Sequence, residues 1–409
     1  MKIALNTQIF IGAVIGVGLG VLFAQAGAES ELSKQGVYFC GLIGNIFIDM
    51  LKMVLTPLIF TSIVVGVANL RLHSQMQKVW KATLGFFALT MMIAVGLGLG
   101  AANVFEPGKG LHLDLFQHAQ QNFAAKKMTF AEFMVEFLHG LFVNPFAALA
   151  QVNVLAIVVF AMFVGVAIVV GGNRYKNILQ IMQEGLELIL RMVGWIMRLS
   201  PYGIAALLAK LLATQDVSLI GSLVKFIFVV LGTTLLHGFV VLPALLFLFA
   251  GVSPYRFFRG AKAALITAFA TSSSSATMPV TLQCTEQHLH VKPEIAGFVV
   301  PIGATVNMDG TALYEASAAL FVANLAGIEL ELGQQLIVFF TCMVAAIGAP
   351  GIPSAGMVTM IMVLQAAGLP TEAIAILLPI DRLLDTVRTM VNVEGDMIGS
   401  LVVQSLVKD

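Results

Sequence analysis

Charge is the scarcest feature of this sequence. Only 11% of its 409 residues are Asp, Glu, Lys or Arg, whereas soluble domains carry about a quarter. Because 59% of the residues are hydrophobic, a water-soluble fold would lack the polar side chains to cover its surface. Basic and acidic residues balance at 22 each, so no excess of one sign indicates a nucleic acid partner. The composition therefore predicts a chain that crosses a lipid bilayer several times.

Cysteine is also scarce. Cys40, Cys284 and Cys342 are scattered through apolar stretches, without the spacing of a metal site or a disulfide framework. We interpret them as small buried side chains. The apolar N-terminal stretch has the positive start of a secretory signal, but it continues like a first membrane span and has no clear cleavage end.

Apolar segments recur along the whole chain, and a membrane helix needs about 20 such residues. They lie at 4–25, 37–70, 82–105, 129–171, 177–213, 217–251, 253–290, 292–326, 332–368 and 371–407. Segment 37–70 is long enough to be a tilted helix. Segment 129–171 is predicted to break near Asn144, Pro145 and Asn153. The polar stretch 106–128 is predicted to be an external loop, and the Lys and Arg residues of alternate connections favour cytoplasmic termini in an inner membrane.

Two segments of the last third are interrupted in their middle, one by the serines of 272–275 and the other by the Gly/Pro-rich stretch 348–356. Non-helical backbone survives at membrane depth only inside protein or beside a water-filled cavity. Each segment can hold two half-length helices, so we predict re-entrant hairpins at 253–290 and 332–368. Paired interruptions of this kind indicate a transporter binding site, and helix N-termini at their tips attract anions. A plain flexible loop is the alternative.

A third interruption, Asn307-Met308-Asp309-Gly310-Thr311, lies inside segment 292–326. An ionisable group within a membrane span is a functional hypothesis by default. Carboxylate and carbonyl oxygens are the ligands that hard cations prefer, so this interruption predicts a site for Na⁺. The alternative is a helix kink that the Asn and Asp side chains satisfy.

The last segment carries a polar stripe. Asp381, Asp385, Arg388, Asn392 and Asp396 recur at helical spacing, so they share one face of an otherwise apolar helix, with Thr389 at its border. The guanidinium of Arg388 is a fork suited to a carboxylate, Asp385 is placed to bind an ammonium, and Asn392 and Asp396 are placed to bind a cation. The alternative is internal pairing, in which Asp381 or Asp385 neutralises Arg388.

These motifs together resemble the glutamate transporter family, which contains the excitatory amino-acid transporters and prokaryotic aspartate or glutamate symporters. The motifs are SSSSATMP at 272–279, NMDGT at 307–311, GAPGIPSAG at 348–356 and DTVRTMVNVEGD at 385–396. The resemblance implies an all-α polytopic membrane protein with eight transmembrane helices, two re-entrant helical hairpins and inverted repeats, assembled as a homotrimer.

The resemblance also implies two domains. A scaffold would comprise residues 1–78, with helices one and two, and 129–213, with helices four and five. A transport domain would comprise residues 79–105, with helix three, and 214–409. The latter range holds helix six, the first hairpin, helix seven at 292–326, the second hairpin, and helix eight at 371–407. The transport domain would move across the membrane like an elevator.

The family's substrate contacts fall on both hairpins and on the last two helices. The matching residues are Ser273, Ser274, Ser275, Thr311, Ile352, Gly356, Asp385, Arg388, Thr389 and Asn392. In the family the arginine binds the side-chain carboxylate and is absent from neutral-amino-acid relatives, whereas dicarboxylate relatives tend to lack the aspartate matching Asp385. Both are present here, so the resemblance implies an L-glutamate or L-aspartate symporter rather than an enzyme.

The resemblance implies Na⁺ as the coupling ion. A first site would use Gly303, Asn307, Asn392 and Asp396, and a second would use Thr305, Met308, Ala346, Ile347 and Ala349. A third would keep Thr90, Asn307 and Asp309 but lose two oxygens, because Phe87 and Met91 stand at positions where relatives carry hydroxyl groups. Glu315 matches the proton carrier of animal members, so H⁺ coupling is open.

A further departure concerns the arginine that relatives carry beside the substrate. Ser272 and Thr386 occupy its two positions here, which leaves Asp385 without its usual partner. The rival functions are a symporter for C4-dicarboxylates or neutral amino acids, an anion channel, and an intramembrane hydrolase with one of Ser272–Ser275 as nucleophile. The hydrolase lacks a recognisable histidine dyad at His237 or His288. The preference between glutamate and aspartate is left open, since one methylene changes affinity only modestly. Ion stoichiometry and K⁺ counter-transport are also left open.

Overall fold

The computed structural model describes residues 5–27, 29–69, 77–111, 139–151, 154–214, 217–349, 351 and 355–407. Within these ranges the chain is almost entirely helical, as the apolar segments predicted. Ile352 of the expected substrate site and most of the expected external loop, from residue 112 onward, lie outside the described residues.

The first three helices are long and apolar. They are α1 at Leu5–Ala26, α2 at Glu31–Asn69 and α3 at Gln77–Phe105. Helix α2 has 39 residues, which at about 1.5 Å per residue exceeds the roughly 30 Å of a bilayer core. The predicted segment 37–70 is therefore one helix that is too long to cross a membrane upright.

The central helices are shorter. They are α4 at Pro145–Gln151, α5 at Val154–Gly171, α6 at Lys176–Met197 and α7 at Ser200–Thr214. Asn144 accepts hydrogen bonds from the backbone N–H groups of Phe146 (2.9 Å) and Ala147 (3.3 Å), so the predicted break near Asn144 is an N-cap. Segment 177–213, expected as one unit, is divided between α6 and α7. Pro201 lies in the first turn of α7, where its missing N–H is not needed.

The last nine α-helices of the described chain carry the polar motifs. They are α8 at Val217–Leu236, α9 at Leu242–Ala250, α10 at Pro254–Thr271, α11 at Ser274–Gln283, α12 at Pro293–Val306, α13 at Asp309–Leu325, α14 at Leu332–Gly348, α15 at Ala355–Ala366 and α16 at Ile374–Leu406. A π-helical turn at His237–Val241 joins α8 to α9. The predicted interruption of segment 292–326 is confirmed, because Asn307 and Met308 separate α12 from α13 with non-helical backbone.

Helix α16 lies at the centre of the C-terminal half. It packs against nine helices: α3, α7, α8, α9, α10, α11, α12, α13 and α15. The polar stripe of α16 is consequently buried: Asp381, Arg388 and Asp396 are each only 1% exposed. This arrangement places five polar positions of one helix inside a shell of other helices.

The outer surface is apolar. Val170, Phe228 and Leu248 are each more than 70% exposed on their helices. Within the described ranges, four stretches are long and apolar enough to cross a membrane: Thr7–Ala26, Lys78–Phe105, Val159–Ile196 and Leu219–Ala250. Exposed apolar side chains on such helices are suited to lipid, which provides no hydrophobic penalty for them.

Helix α1 packs closely on α7 through its glycines. A Cβ atom at Gly16 would lie 2.4 Å from the backbone oxygen of Ala205, whereas a Cβ atom at Gly18 would meet nothing within 4 Å. Small residues of this kind let two membrane helices approach each other.

We expect Gly16→Val to push α1 away from α7 and to destabilise the protein by about 1–3 kcal/mol, the usual cost of overpacking. The measurement is thermal unfolding of the detergent-purified protein. Gly18→Val is the matched control on the same helix and should unfold at the temperature of the unmodified chain. Equal unfolding temperatures for both variants would contradict this packing.

Candidate transport site

Two pairs of helices meet through their turns. Helix α10 packs against α11, and α14 packs against α15. The backbone oxygen of Gly351, between α14 and α15, accepts hydrogen bonds from the Ser273 hydroxyl (2.6 Å) and the Ser275 N–H (3.0 Å). The serine-rich and Gly/Pro-rich interruptions, 78 residues apart in sequence, therefore lie in direct contact.

The serine-rich turn follows from local chemistry. Ser272 ends α10 with a left-handed backbone (φ 51°). Ser273 is extended and its hydroxyl accepts from the Ala276 N–H at 3.1 Å, so it is the N-cap of α11. Ser274 is buried and Ser275 is exposed at the same helix start. The turn thus presents hydroxyl groups and the positive end of a helix dipole at one point.

The interruption between α12 and α13 is held by Asn392 of α16. The Asn392 amide oxygen accepts from the Gly310 N–H at 2.8 Å, and its amide nitrogen contacts Met308 Sδ (3.3 Å) and Thr311 Oγ1 (3.4 Å). A backbone N–H in the first turn of a helix has no partner within that helix. The Asn392 side chain supplies that partner here, so the broken segment and the polar stripe form one unit.

The four residues of the expected first sodium site are brought together. The Asn307 amide donates to Asp396 Oδ1 (3.0 Å) and to the Asn392 backbone oxygen (3.2 Å). A Cβ atom at Gly303 would lie 2.2 Å from Asp396 Oδ1, so glycine is required where the carboxylate approaches α12. Asn307 Oδ1 is buried and has no hydrogen-bond partner among the described residues. The set therefore offers carboxylate, amide and carbonyl oxygens at one place.

The residues of the expected second sodium site lie at two neighbouring helix ends. Thr305 and Met308 flank the end of α12, and Ala346, Ile347 and Ala349 lie at the end of α14, which packs against α12. Beyond α14, a Cβ atom at Gly351 would be 2.6 Å from the Ala304 backbone oxygen. The second interruption thus rests directly on the first helix of the broken segment.

Around Asp309 the structure adds a residue that the sequence did not assign. Thr90 Oγ1 donates to Asp309 Oδ1 at 3.2 Å, and His237 Nε2 lies 3.0 Å from Asp309 Oδ2. All three side chains are fully buried. His237 begins the π-helical turn between α8 and α9. Both carboxylate oxygens of Asp309 therefore have partners from the protein, while Phe87 and Met91 contribute buried apolar side chains nearby on α3.

Arg388 is only partly paired. Its Nη2 donates to Asp381 Oδ1 (2.6 Å) and Asp385 Oδ1 (2.9 Å), and the guanidinium lies 4.0 Å from the centre of the Tyr314 ring. Its Nε and Nη1 are buried and have no hydrogen-bond partner among the described residues. Both alternatives considered for this arginine are thus present in part: one nitrogen is paired internally, and two are left over.

The unpaired side of Arg388 faces the other expected substrate residues. A Cβ atom at Gly356, in α15, would lie 3.6 Å from Arg388 Nη1 and 3.1 Å from Thr311 Cγ2. Thr389 and Asn392 follow on the same helix and are buried. The start of α15 therefore lies beside both the start of α13 and the Nη1 of Arg388 in the middle of α16.

Asp385 contacts a second arginine besides Arg388, although the family's usual positions carry Ser272 and Thr386. Arg382, one turn earlier on α16, places Nη1 3.4 Å from Asp385 Oδ2. Arg382 precedes Asp385 by three residues, a spacing that places two side chains side by side on a helix.

Glu315 is fully buried in α13. The Thr359 hydroxyl of α15 donates a hydrogen bond to its Oε1, and Oε2 has no partner among the described residues. Thr359 carried no signal in the sequence, because a single threonine in an apolar helix is unremarkable. Tyr314 was missed for the same reason, since its contact with Arg388 joins residues 74 apart.

The chain is similar to known proteins over nearly its whole length. The model of the sodium:dicarboxylate symporter family matches residues 5–406. The chain is 34% identical over 466 residues to excitatory amino acid transporter 4 of Mus musculus, covering 97% of this chain and 82% of that protein. It is 33% identical over 438 residues to neutral amino acid transporter B(0) of Mus musculus, with 96% and 79% covered. It is 32% identical over 432 residues to neutral amino acid transporter A of Homo sapiens, with 97% and 80% covered.

Relatives named for excitatory and for neutral amino acids match at almost the same identity, so their names alone do not decide a substrate. The match over nearly the whole chain excludes the hydrolase alternative. Together with the apolar outer helices, it identifies a multi-pass membrane transport protein that is not an enzyme. The chain belongs to the sodium:dicarboxylate symporter family.

Proposed function

We propose that this protein is a secondary active symporter that carries an acidic amino acid, L-aspartate or L-glutamate, together with Na⁺. The single observation that carries the choice of substrate is the pair of nitrogens on the buried Arg388 guanidinium that have no hydrogen-bond partner among the described residues. Leaving a buried donor without a partner costs about 1–3 kcal/mol, and more when the group is charged. A substrate that supplies an acceptor there relieves that cost.

A carboxylate is the group that matches the Arg388 fork. Two parallel N–H donors bind a carboxylate in a bidentate, charge-assisted manner. A neutral side chain would leave the guanidinium nitrogens unsatisfied, so the site discriminates against neutral amino acids by more than simple loss of contact. The side-chain carboxylate of aspartate or glutamate is therefore assigned to Arg388, in the space beside Thr311 and Gly356.

The amino-acid backbone of the substrate is assigned to groups on either side. Asp385 accepts a hydrogen bond from Arg388 on the same helix, and we propose that it also binds the substrate ammonium. Ser273, Ser274 and Ser275 at the N-terminus of α11 would bind the α-carboxylate, because the N–H groups and the dipole at a helix N-terminus favour an anion. The proposed contacts are completed by Thr311, Thr389, Asn392 and Ile352, the last of which lies outside the described residues.

Sodium supplies the remaining charge. An acidic amino acid carries two carboxylates and one ammonium, so its transfer into a buried site requires positive charge. We propose one ion at Gly303, Asn307, Asn392 and Asp396, where Asn307 Oδ1 is unpaired. A second ion is proposed at Thr305, Met308, Ala346, Ile347 and Ala349. Asp309 is left to Thr90 and His237, which already use both of its oxygens.

The mechanism proposed is alternating access by an elevator. The helix pairs α10–α11 and α14–α15 are proposed as re-entrant hairpins. They would move with α3, α8, α9, α12, α13 and α16 as a transport domain against a scaffold of residues 1–78 and 129–213. Eight transmembrane helices, a homotrimer, an inner-membrane location and cytoplasmic termini belong to the same proposal. Binding of substrate and Na⁺ would favour the state in which the second hairpin is closed.

Arg388→Ala should remove uptake of aspartate and glutamate, because the substrate carboxylate loses its proposed bidentate partner and the buried Asp381 loses its contact with Arg388. We expect at least a hundredfold fall in uptake per amount of protein, roughly the effect of losing a charge-assisted pair of about 3 kcal/mol. The measurement is uptake of labelled aspartate, glutamate, serine and succinate into proteoliposomes under an imposed Na⁺ gradient.

In that experiment the unmodified protein should accumulate aspartate or glutamate above the external concentration, which a channel cannot do. Preferred uptake of serine or succinate would assign the neutral or C4-dicarboxylate alternative instead. Normal aspartate uptake by the Arg388→Ala protein would show that Arg388 is not the substrate's partner.

Asp396→Asn should weaken the dependence of uptake on Na⁺, since it removes the one carboxylate of the proposed first ion site while keeping the side-chain shape. We expect the half-maximal Na⁺ concentration to rise about tenfold, equivalent to about 1.4 kcal/mol. Ser400→Ala, one turn further along α16, is the matched control, because its hydroxyl bonds only the Asp396 backbone oxygen. An unchanged Na⁺ titration would remove Asp396 from the proposed site.

Proton coupling is proposed through Glu315, the fully buried carboxylate with one unpaired oxygen. Burial disfavours the charged form of a carboxyl group, so we propose that transport carries a proton on this residue. An imposed inward proton gradient should increase uptake by the unmodified protein and leave uptake by Glu315→Gln unchanged. Equal uptake by the unmodified protein with and without the gradient would argue against H⁺ coupling.

A further inference from the structure

Asp385 is shared between two arginines of the same helix. Its Oδ1 accepts from Arg388 Nη2 at 2.9 Å, and its Oδ2 lies 3.4 Å from Arg382 Nη1. The Asp385 side chain is 7% exposed and the Arg382 side chain 11%, so water screens this contact little. Each carboxylate oxygen therefore has a different cationic partner.

The sharing has a consequence for Arg388. A carboxylate three residues away on a helix can direct both oxygens at one guanidinium and form a two-pronged pair. In that arrangement Asp385 would occupy nitrogens that are now unpaired. Because Arg382 engages Oδ2, Asp385 presents only Oδ1 to Arg388, and Nε and Nη1 stay available.

We propose that Arg382 is a positioning residue that holds Asp385 in its half-shared orientation and thereby keeps two Arg388 nitrogens open for the substrate carboxylate. Arg382 would not touch the substrate itself. The inference rests on the proposed function, because it concerns how the acidic amino acid gains access to Arg388.

The local charges support this role. Asp381, Arg382, Asp385 and Arg388 together carry two negative and two positive charges. Loss of Arg382 removes one cation from Asp385, while Arg388 stays in contact with both Asp381 and Asp385, and a buried charge that loses a partner is costly. Asp385 then closes on Arg388, and the cluster gains a net negative charge. Both changes oppose an anionic substrate.

The test compares the KM and maximal rate of aspartate uptake for Arg382→Ala, Arg382→Gln and Arg382→Lys in proteoliposomes at saturating Na⁺. We expect KM to rise about tenfold for Ala and Gln, the equivalent of about 1.4 kcal/mol and of one charge-assisted hydrogen bond. The maximal rate should change by less than about twofold. Lysine, which keeps the charge, should restore much of the affinity.

Relocation of the charge separates positioning from a structural role. Thr386 is the residue after Asp385, and among the described residues its hydroxyl donates to the Leu383 backbone oxygen of its own helix. An arginine there can reach Asp385, so Arg382→Ala combined with Thr386→Arg should return KM towards the unmodified value. Leu383→Ala, beside Arg382 and 56% exposed, is the matched control with no ion pair and should leave KM unchanged.

The outcomes distinguish the two proposals. If the unmodified protein takes up no acidic amino acid, the proposed function and this inference both fail. If it does so and the Ala and Gln variants keep KM within about twofold, only the role of Arg382 fails. A raised KM that neither lysine nor the relocated arginine lowers would also overturn it. Should the Ala variant not yield folded protein by gel filtration, the Gln variant is judged by the same criteria.

Discussion

The guanidinium of Arg388 lies in the middle of a helix that packs against nine other helices, and its charge has to be balanced without water. A charged group at this depth is costly unless other charges or hydrogen-bond acceptors surround it. Asp381 and Asp385 supply part of that balance, and the Tyr314 ring covers one face. Within the part of the chain that the structure describes, Nε and Nη1 have no hydrogen-bond partner. The proposed function follows from these two nitrogens, because a substrate carboxylate would accept the hydrogen bonds that the described residues do not.

The same helix also stabilises the interruptions around it. Backbone that leaves helical geometry inside an apolar shell needs polar partners for its N–H and C=O groups. Asn392 provides one to Gly310, and Asn307 reaches back to the backbone of Asn392 and the carboxylate of Asp396. The two helix-pair turns satisfy each other through Gly351 and the serines. The broken segment and both turns are thus linked to the surroundings of Arg388 by hydrogen bonds instead of by apolar packing alone.

Features that are local in sequence could be predicted, and features that depend on distant contacts could not. The break at Asn307 and Met308 and the stripe on α16 follow from residue type and helical spacing. The division of 177–213 into α6 and α7 was missed, because its apolar composition runs through the turn before Pro201. His237 pairs with Asp309 across 72 residues of sequence, and the π-helical turn that carries it shifts its register in a way that periodicity does not reveal. Arg382 was overlooked because the stripe was defined by spacing from Arg388, and Arg382 lies just outside it.

The relation between substrate and Na⁺ follows from how close their proposed sites are. Asn392 touches Gly310, Met308 and Thr311 with its side chain, and its backbone oxygen accepts from Asn307. If a cation binds at Asn307 and Asp396, it orders the same turn that positions Thr311 beside Arg388. Binding of one ligand then lowers the entropic cost of ordering this turn for the other ligand. Such a shared cost is a source of positive coupling between two sites. The coupling would require no long pathway, since a single residue, Asn392, contacts one set with its side chain and the other with its backbone oxygen.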